Sequence, residues 1–244
     1  MSRIQILTIG VDKVTLKAAE ALCLRWMEDS RPRLVVTPNA EIGYAAYKNP
    51  DLAAVLNQAD LAIPDGAGIV LASKVLGDPV PGKVAGVDLA TCLLAALSQR
   101  GGRIYLLGAR PEVVSEAARR VAKQYPGLTI AGFRDGYFGQ EEESKVVAEI
   151  RAANVDALFV GLGAPRQEFW LSQHLADLNA KVSLGIGGTL DIWAGAAPRA
   201  PKWMVKANLE WLFRIVKLGR YSRSLPPLIK FVLLVIAQRL KGRQ

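Results

Sequence analysis

The sequence predicts an α/β fold, with a mostly parallel β-sheet covered by helices on both faces and a helical C-terminal appendage. Three observations predict it. Short apolar runs alternate along most of the chain with segments whose apolar residues recur at helical spacing. The runs are continuous rather than alternating, which is typical of parallel strands buried on both faces. From Arg199 onward the pattern contains helices without strands.

The elements follow one another in a regular order. Seven apolar runs are predicted strands, at 4–10, 33–37, 61–64, 103–108, 128–132, 157–163 and 181–188. Predicted helices include 14–28, 86–99, 111–124, 141–153 and 165–176. An amphipathic helix is expected at 206–217, then a loop with Pro226 and Pro227, then a second apolar helix at 228–241. We therefore predict an α/β domain at 1–198 and an appendage at 199–244.

Positive charge is concentrated in the appendage. The chain has 31 Lys or Arg and 22 Asp or Glu, a formal net charge of +9. Residues 199–244 hold eleven of the basic residues and one acid, which leaves 20 basic and 21 acidic residues in the rest. A basic tail favours a polyanionic partner, either nucleic acid or an anionic membrane surface. Its Trp and Phe favour the membrane interface, and the alternative for the first helix is ordinary packing on the body.

Targeting signals are not expected. The N-terminus has too short an apolar stretch for a signal peptide, and the longest apolar run, 231–237, is far below the roughly 20 residues that span a bilayer. Cys23 and Cys92 lie in predicted helices. An isolated pair of this kind indicates free thiols in a reducing compartment rather than a disulfide framework.

Glycine and small polar residues gather where predicted strands end. The exits read TPNAE (37–41), PDGAG (64–68), LLGARP (106–111), GLGAPRQE (161–168) and GIGGTLD (185–191). Ligands of open α/β sheets bind beyond the carboxyl ends of the strands. Glycine lets a ligand approach the backbone, and free N–H groups at helix starts favour phosphate. Five such exits together favour an anionic ligand over turn chemistry alone.

Polar side chains at two exits have two interpretations each. Asp65 either caps the following helix or acts as a general base that deprotonates a sugar hydroxyl. Of Thr37 and Asn39, only one is needed as a cap, which leaves the other for a ligand.

Two further segments offer partners for an anionic ligand. Lys83 is either a solvated surface lysine or a cation for phosphate. Arg166, Gln167 and Glu168 begin a predicted helix. There Gln167 would hydrogen-bond a sugar or base while the free amides hold a phosphate.

Several kinds of site are excluded by their missing signatures. The sequence has no Asp-x-Asp, so a two-carboxylate clamp for a metal-bound nucleotide sugar is not expected. His174 is the single histidine and lies in a helical run, which argues against a serine–histidine triad or a histidine metal site. The G-x-G-x-x-G fingerprint is incomplete. We expect neither a metal nor a cofactor.

Nine ordered motifs resemble those of the WecG/TagA/CpsF glycosyltransferase family, glycosyltransferase family 26. They are TPNAE (37–41), PDGAGIV (64–70), VAGVDL (84–89), YLLGA (105–109), DGYF (135–138), GLGAPRQE (161–168), GIGGTLDIWAG (185–195), RAP (199–201) and LEWLFR (209–214). The resemblance covers almost the whole chain.

The resemblance implies a Rossmann-like fold of the family's own type and a metal-independent, inverting transferase. The donor would be UDP-N-acetylmannosamine, and the acceptor an N-acetylglucosamine on a polyprenyl diphosphate at the cytoplasmic face of the plasma membrane. The product would be a β-1,4-linked lipid disaccharide, the linkage unit of wall teichoic acid or a related polymer. The uronic acid of the donor sugar stays open as an alternative. A homo-oligomer is also open.

The resemblance also assigns residues. Asp65 becomes the base, and the positions of Thr37, Asn39 and Gln167 line the pocket. We also expect substrate binding by Lys83, Gly108, Ala109, Tyr137, Gly163, Arg166 and Glu168. Arginines of the appendage would meet the acceptor's diphosphate, namely Arg214, Arg220 and Arg223. Lys83 stands where family members often have arginine, so bidentate phosphate geometry is lost. The stretch KLGRYSR (217–223) lacks the family's usual Glu-Pro.

Two other classes compete on the residues alone. The α/β pattern also suits a nucleotide-binding oxidoreductase. The pI of about 9.7 also suits a nucleic-acid-binding protein without enzymatic activity. The resemblance favours neither, and nucleic acid is not an expected partner.

Overall fold

The computed structural model describes residues 2–217 and 221–242, apart from the side chains at positions 206, 214, 215 and 221–224. Its strands are β1 (Arg3–Ile6), β2 (Ile9–Asp12), β3 (Arg33–Val36), β4 (Leu61–Ala62), β5 (Arg103–Gly108), β6 (Thr129–Arg134), β7 (Ala157–Gly161) and β8 (Val182–Gly185). The first helices are α1 (Leu16–Trp26), α2 (Ala40–Lys48), α3 (Pro50–Gln58), α4 (Ala67–Leu76), α5 (Gly86–Gln99) and α6 (Pro111–Gln124). They are followed by α7 (Gln140–Ala153), α8 (Arg166–His174), α9 (Thr189–Trp193), α10 (Lys202–Lys206), α11 (Glu210–Lys217) and α12 (Tyr221–Lys241).

The chain forms two compact units. Unit 1 comprises Met1–Leu16, Thr37–Ala85 and Arg199–Gln244, and unit 2 comprises Lys17–Val36 and Gly86–Pro198. The division into domains at 1–198 and 199–244 stays a prediction, because unit 1 combines segments from both sides of residue 198. The appendage belongs to the same unit as two earlier segments of the chain.

Unit 2 has the predicted α/β architecture. Five of its strands lie side by side in the order β3-β8-β7-β5-β6, and each neighbouring pair is parallel. The register aligns Leu106 with Phe159 and Phe159 with Leu184, and all three side chains are buried. Helix α6 packs on β5 and β6, and α8 packs on β8 and β3. The continuous apolar runs therefore form the centre of a parallel sheet, which confirms the predicted fold class.

Unit 1 begins with an element that the sequence analysis predicted wrongly. The run 4–10 is not one strand, because β1 and β2 form an antiparallel hairpin in which Ile6 pairs with Ile9. Leu7 has a φ of 54°, as two-residue hairpin turns require at a central position. The hairpin forms a separate two-stranded sheet.

Helices α2 and α3, which the periodicity did not predict, have strong N-terminal caps. Asn39 Oδ1 accepts a hydrogen bond from Ile42 N at 3.0 Å. Asn49 Oδ1 accepts from the backbone N–H groups of Asp51 and Leu52, and Pro50 occupies the first turn of α3. Asparagine caps and a first-turn proline stabilise short helices of this kind.

Helix α12 is an integral part of unit 1. Phe231 and Val235 are buried, and the Phe231 ring packs directly on α2, where Gly43 leaves room for it. Gln238 accepts a hydrogen bond from Leu7 N at 2.8 Å, and Arg239 donates to Leu76 O at 2.9 Å. Across the described part of the chain, the structure has no helix with the length and apolar character needed to cross a membrane.

Two predictions for the C-terminal region were wrong in detail. The helix expected at 206–217 is interrupted, because Asn208 adopts a φ of 60° between α10 and α11. The expected loop with Pro226 and Pro227 is helical from Tyr221, so both prolines lie inside α12. Packing of the helix on unit 1 outweighs the hydrogen bonds that the two prolines cannot donate.

Candidate active site

Three of the predicted site loops come together in unit 1. The Asp65 backbone N–H donates to Pro38 O at 3.3 Å, which joins the TPNAE and PDGAG loops. Val84 N donates to Pro64 O at 2.9 Å, which joins the loop of Lys83 to the same place. The motifs that the sequence analysis singled out separately thus form one cluster.

Asp65 does not occupy the capping position of the helix that follows it. The N-cap of α4 is Gly66, which has a φ of 87° and provides no side-chain cap. Asp65 lies one residue earlier and is half-buried. The capping interpretation of Asp65 is therefore wrong, and its assignment as a general base stays a prediction.

Only one of the two residues Thr37 and Asn39 caps α2, as the sequence analysis expected. Asn39 caps α2 through its Oδ1 atom. Thr37 is not needed as a cap and is buried at the end of β3. Gly66 lies close to Asn39, since a Cβ atom added to Gly66 would be 3.8 Å from Asn39 Cβ. Contact of Thr37 or Asn39 with substrate stays a prediction.

Lys83 is not a solvated surface lysine. Its Nζ donates to Glu210 Oε2 at 2.7 Å, and the two side chains are only 13% and 11% exposed. Arg199 Nε lies 3.6 Å from the other carboxylate oxygen of Glu210. Sequence reasoning did not find Glu210. The available signal was that it is the single acid among eleven basic residues of the appendage.

Unit 2 contains a cleft of about 560 Å³. It lies at the carboxyl ends of β5, β6 and β7, where the chain passes from β6 across β5 to β7. Ligands of open α/β sheets bind at such a reversal of strand order. The cleft is lined by Ala109, Gly136, Tyr137, Phe138, Gly139, Gly161, Leu162 and Arg166. Ala109, Tyr137 and Arg166 are among the predicted substrate-binding residues.

Arg166 holds one wall of this cleft in place. Its guanidinium donates to Gly136 O at 2.8 Å and to Phe138 O at 3.1 Å, and it lies over the Phe138 ring at 4.8 Å. Tyr137, between these two anchored residues, is 73% exposed. Arg166 also begins α8, whose N-terminus has no side-chain cap and therefore favours an anion.

Gln167 and Glu168 are buried, with exposures of 2% and 1%. Gln167 Nε2 donates to Glu168 Oε1 at 2.8 Å, and Gln167 Oε1 accepts from Gly187 N at 3.1 Å. The pair thus braces the loop after β8 against the start of α8. Direct contact of either residue with substrate stays a prediction. Burial raises the pKa of the Glu168 carboxyl, while the hydrogen bond from Gln167 offsets part of the rise.

The sequence model of the Glycosyl transferase WecG/TagA/CpsF family matches residues 4–244 of this chain. The chain belongs to this family.

Three similar proteins share the name N-acetylglucosaminyldiphosphoundecaprenol N-acetyl-beta-D-mannosaminyltransferase. That of Bacillus spizizenii is 36% identical over 211 residues, which cover 86% of this chain and 81% of the relative. That of Bacillus subtilis is 35% identical over 183 residues, or 75% and 71%. That of Staphylococcus aureus is 33% identical over 231 residues, or 92% and 90%. The family resemblance inferred from the nine motifs is confirmed.

The WecG/TagA/CpsF assignment leaves the predicted roles of the appendage arginines open. Arg220 lies outside the described residues. The backbones of Arg214 and Arg223 belong to α11 and α12. Their side chains are not among the parts of the chain that the structure describes. Their contact with a lipid diphosphate therefore stays a prediction.

The glycine motifs of this family member include one position that only glycine fits. Gly108 ends β5 with a φ of 125°, and a Cβ added there would lie 2.4 Å from Gly161 O. The close approach brings the exits of β5 and β7 together beside Ala109 at the cleft. Gly163, also predicted to bind substrate, has a φ of 78° but open space around it.

Gly108→Ala is expected to destabilise the protein by about 2–4 kcal/mol, from backbone strain of about 1–3 kcal/mol and the added clash. It should also weaken binding of UDP, which the family resemblance implies as part of the donor, because the cleft must shift. Gly101→Ala is a matched control, since Gly101 has a φ of 68° and no neighbour near the added Cβ. Denaturant unfolding and calorimetric titration with UDP measure both effects. Equal stability and UDP affinity in the two variants would contradict the assigned role of Gly108.

Glu168→Gln is expected to change how stability depends on pH. A carboxyl whose pKa is raised by folding contributes stability that is complete below its unfolded pKa and is lost as pH rises through the folded pKa. The wild-type free energy of unfolding should therefore fall, relative to the variant, as pH rises above about 4.5. Urea unfolding from pH 4 to 8 measures this difference. A constant difference across this range would show that burial does not perturb Glu168.

Proposed function

We propose that this chain transfers N-acetylmannosamine from its UDP donor to N-acetylglucosamine on undecaprenyl diphosphate. The observation that carries the proposal is the family match over residues 4–244, together with relatives of one named activity that align over 71–90% of their length. The product would be a β-1,4-linked lipid disaccharide for wall teichoic acid or a related polymer. None of the similar proteins named above is an oxidoreductase or a nucleic-acid-binding protein.

The cleft of unit 2 supports binding of a nucleoside diphosphate. Its volume of about 560 Å³ lies within the usual 300–1,000 Å³ of small-molecule sites. The uncapped N-terminus of α8 suits phosphate, and the exposed ring of Tyr137 provides a stacking surface for a base. The cleft is therefore a candidate site for a nucleoside diphosphate.

Asp65 would supply the chemistry of acceptor activation. Its carboxylate takes the proton from the 4-hydroxyl of N-acetylglucosamine as that oxygen attacks the anomeric carbon of the donor. The bond from the anomeric carbon to the UDP oxygen breaks, and UDP leaves with the electron pair. One displacement inverts the anomeric configuration. Amides and cations aimed at the leaving diphosphate would stabilise its charge, and we propose that no metal is required.

Helix α12 supports a peripheral position on the inner face of the plasma membrane. Ile229, Leu233, Ile236 and Leu240 are 43–61% exposed and recur at helical spacing. Phe231 and Val235 lie on the buried face of the same helix. An apolar stripe on a helix with basic residues suits the boundary between headgroups and acyl chains. The lipid acceptor is found at the same boundary.

The proposal is tested by product analysis. The purified protein is incubated with a panel of UDP-sugars and a short-chain N-acetylglucosaminyl-diphospholipid, with and without EDTA, and products are identified by mass spectrometry. We expect addition of one N-acetylhexosamine from UDP-N-acetylmannosamine in both conditions. Addition of a uronic acid instead would assign the other donor. No product from any donor would overturn the proposed function.

A further inference from the structure

Glu210 is a buried acid in the most basic part of the chain. It is the first residue of α11 and is 9% exposed. Its carboxylate is held between two cations, Lys83 and Arg199. A buried carboxylate is costly unless it is paired, so this acid stabilises the appendage only in contact with its partners.

The ion pair of Glu210 and Lys83 is connected through the backbone to the loop of the proposed base, Asp65. Lys83 is followed directly by Val84, whose N–H donates to Pro64 O, and Pro64 precedes Asp65. The chain of contacts therefore runs from α11 through the Lys83 side chain to the PDGAG loop. Every residue in it belongs to unit 1.

A lysine at this position needs external orientation. An arginine guanidinium has a rigid planar fork, whereas the lysine ammonium is a point charge on a flexible four-carbon stem. The 2.7 Å hydrogen bond to Glu210 fixes the Nζ atom and leaves two further N–H donors. Glu210 thus supplies the orientation that the side chain of Lys83 lacks.

We propose that Glu210 is a positioning residue, which holds the Lys83 ammonium beside the Asp65 loop so that docking of α11 completes the site for an anionic substrate. The inference rests on the proposed function. In this proposal the ion pair of Lys83 and Glu210, in addition to membrane attachment, links the appendage to turnover.

A double-mutant cycle tests the coupling. Lys83→Met and Glu210→Gln are each expected to lower kcat/KM for a short-chain lipid acceptor at least tenfold. The double variant should be no slower than Lys83→Met, because Glu210 acts through Lys83. Arg239→Gln is the matched control: Arg239 docks α12 through Leu76 and has no assigned contact with Lys83. The effects of Arg239→Gln and Lys83→Met should multiply.

Charge reversal separates positioning from a purely structural tie. The variant Lys83→Glu/Glu210→Lys/Arg199→Gln keeps an ion pair between positions 83 and 210 and removes the second cation, which would repel a lysine at position 210, so hydrogen exchange of α11 should stay slow. Transfer should nevertheless remain more than tenfold below wild type, since position 83 then carries a carboxylate, which repels an anionic substrate. Wild-type transfer by this variant, or multiplying effects in the first cycle, would overturn the inference. A wild-type protein without any transferase product would instead overturn the proposed function.

Discussion

Replacing Asp65 with asparagine is expected to lower kcat by about 10²–10⁴-fold, the range for loss of a general base. Asparagine keeps the size of the side chain but cannot take the proton from the acceptor hydroxyl. The fold should tolerate the change, because asparagine is isosteric with aspartate and its side-chain oxygen can still accept a hydrogen bond. Binding of UDP should be unchanged, because asparagine has the size of aspartate and the lost step is proton removal from the acceptor. The loss should therefore fall on kcat rather than on the KM of the donor.

Single-turnover assays with a short-chain lipid acceptor measure this effect. Glu41→Gln is the control, because Glu41 is an exposed acid in the first turn of α2, close in sequence to the same loop cluster. It should retain near-normal kcat, and both variants should unfold at the wild-type temperature. Near-normal turnover by Asp65→Asn would show that another group removes the proton.

The parallel sheet was predictable because its strands are buried on both faces. The runs that became β5, β7 and β8 are continuously apolar, and parallel pairing is the usual setting for such runs. The run 4–10 is broken by Gln5 and Thr8 and folds as a hairpin. Its turn at Leu7 lacks the glycine or asparagine that normally marks one, so no turn residue separated the two strands in the sequence.

The predictions for the C-terminal region were wrong for a different reason. Pro226 and Pro227 are local signals against a helix, and the sequence analysis followed them. Tertiary contacts of α12 prevailed: Phe231 fills the space above Gly43, and Gln238 hydrogen-bonds the hairpin. These contacts join segments that lie far apart in the sequence, so no window of residues reveals them.

The parts of the candidate site that lie at strand exits were predictable from the sequence. The exits of neighbouring strands meet, which brought Asp65 beside the TPNAE loop. The partner of Lys83 was not predictable, because Glu210 lies 127 residues away and reaches it from a helix. The brace from Gln167 to Gly187 likewise depends on how α8 packs on the end of β8.

Polar substitution of the exposed stripe on α12 should release the protein from membranes. The variant replaces Ile229, Leu233, Ile236 and Leu240 with asparagine. Full burial of such a side chain contributes about 1.5–3 kcal/mol, and partial insertion about 1 kcal/mol each. The loss of about 4 kcal/mol corresponds to roughly 10³-fold weaker partitioning into anionic vesicles. Stability should change little, because Phe231 and Val235 still anchor the helix.

The matched control exchanges isoleucine and leucine at the same four positions, which keeps the stripe apolar and should keep vesicle binding. Sedimentation with anionic vesicles measures partitioning, and transfer is compared on a vesicle-embedded and a short-chain acceptor. The asparagine variant should lose transfer only on the embedded acceptor, because attachment concentrates enzyme and lipid in one plane without entering the chemistry. Salt should weaken the electrostatic part of wild-type binding and leave the apolar part. Equal loss on both acceptors, or undiminished vesicle binding, would mean that the stripe serves the fold rather than the membrane.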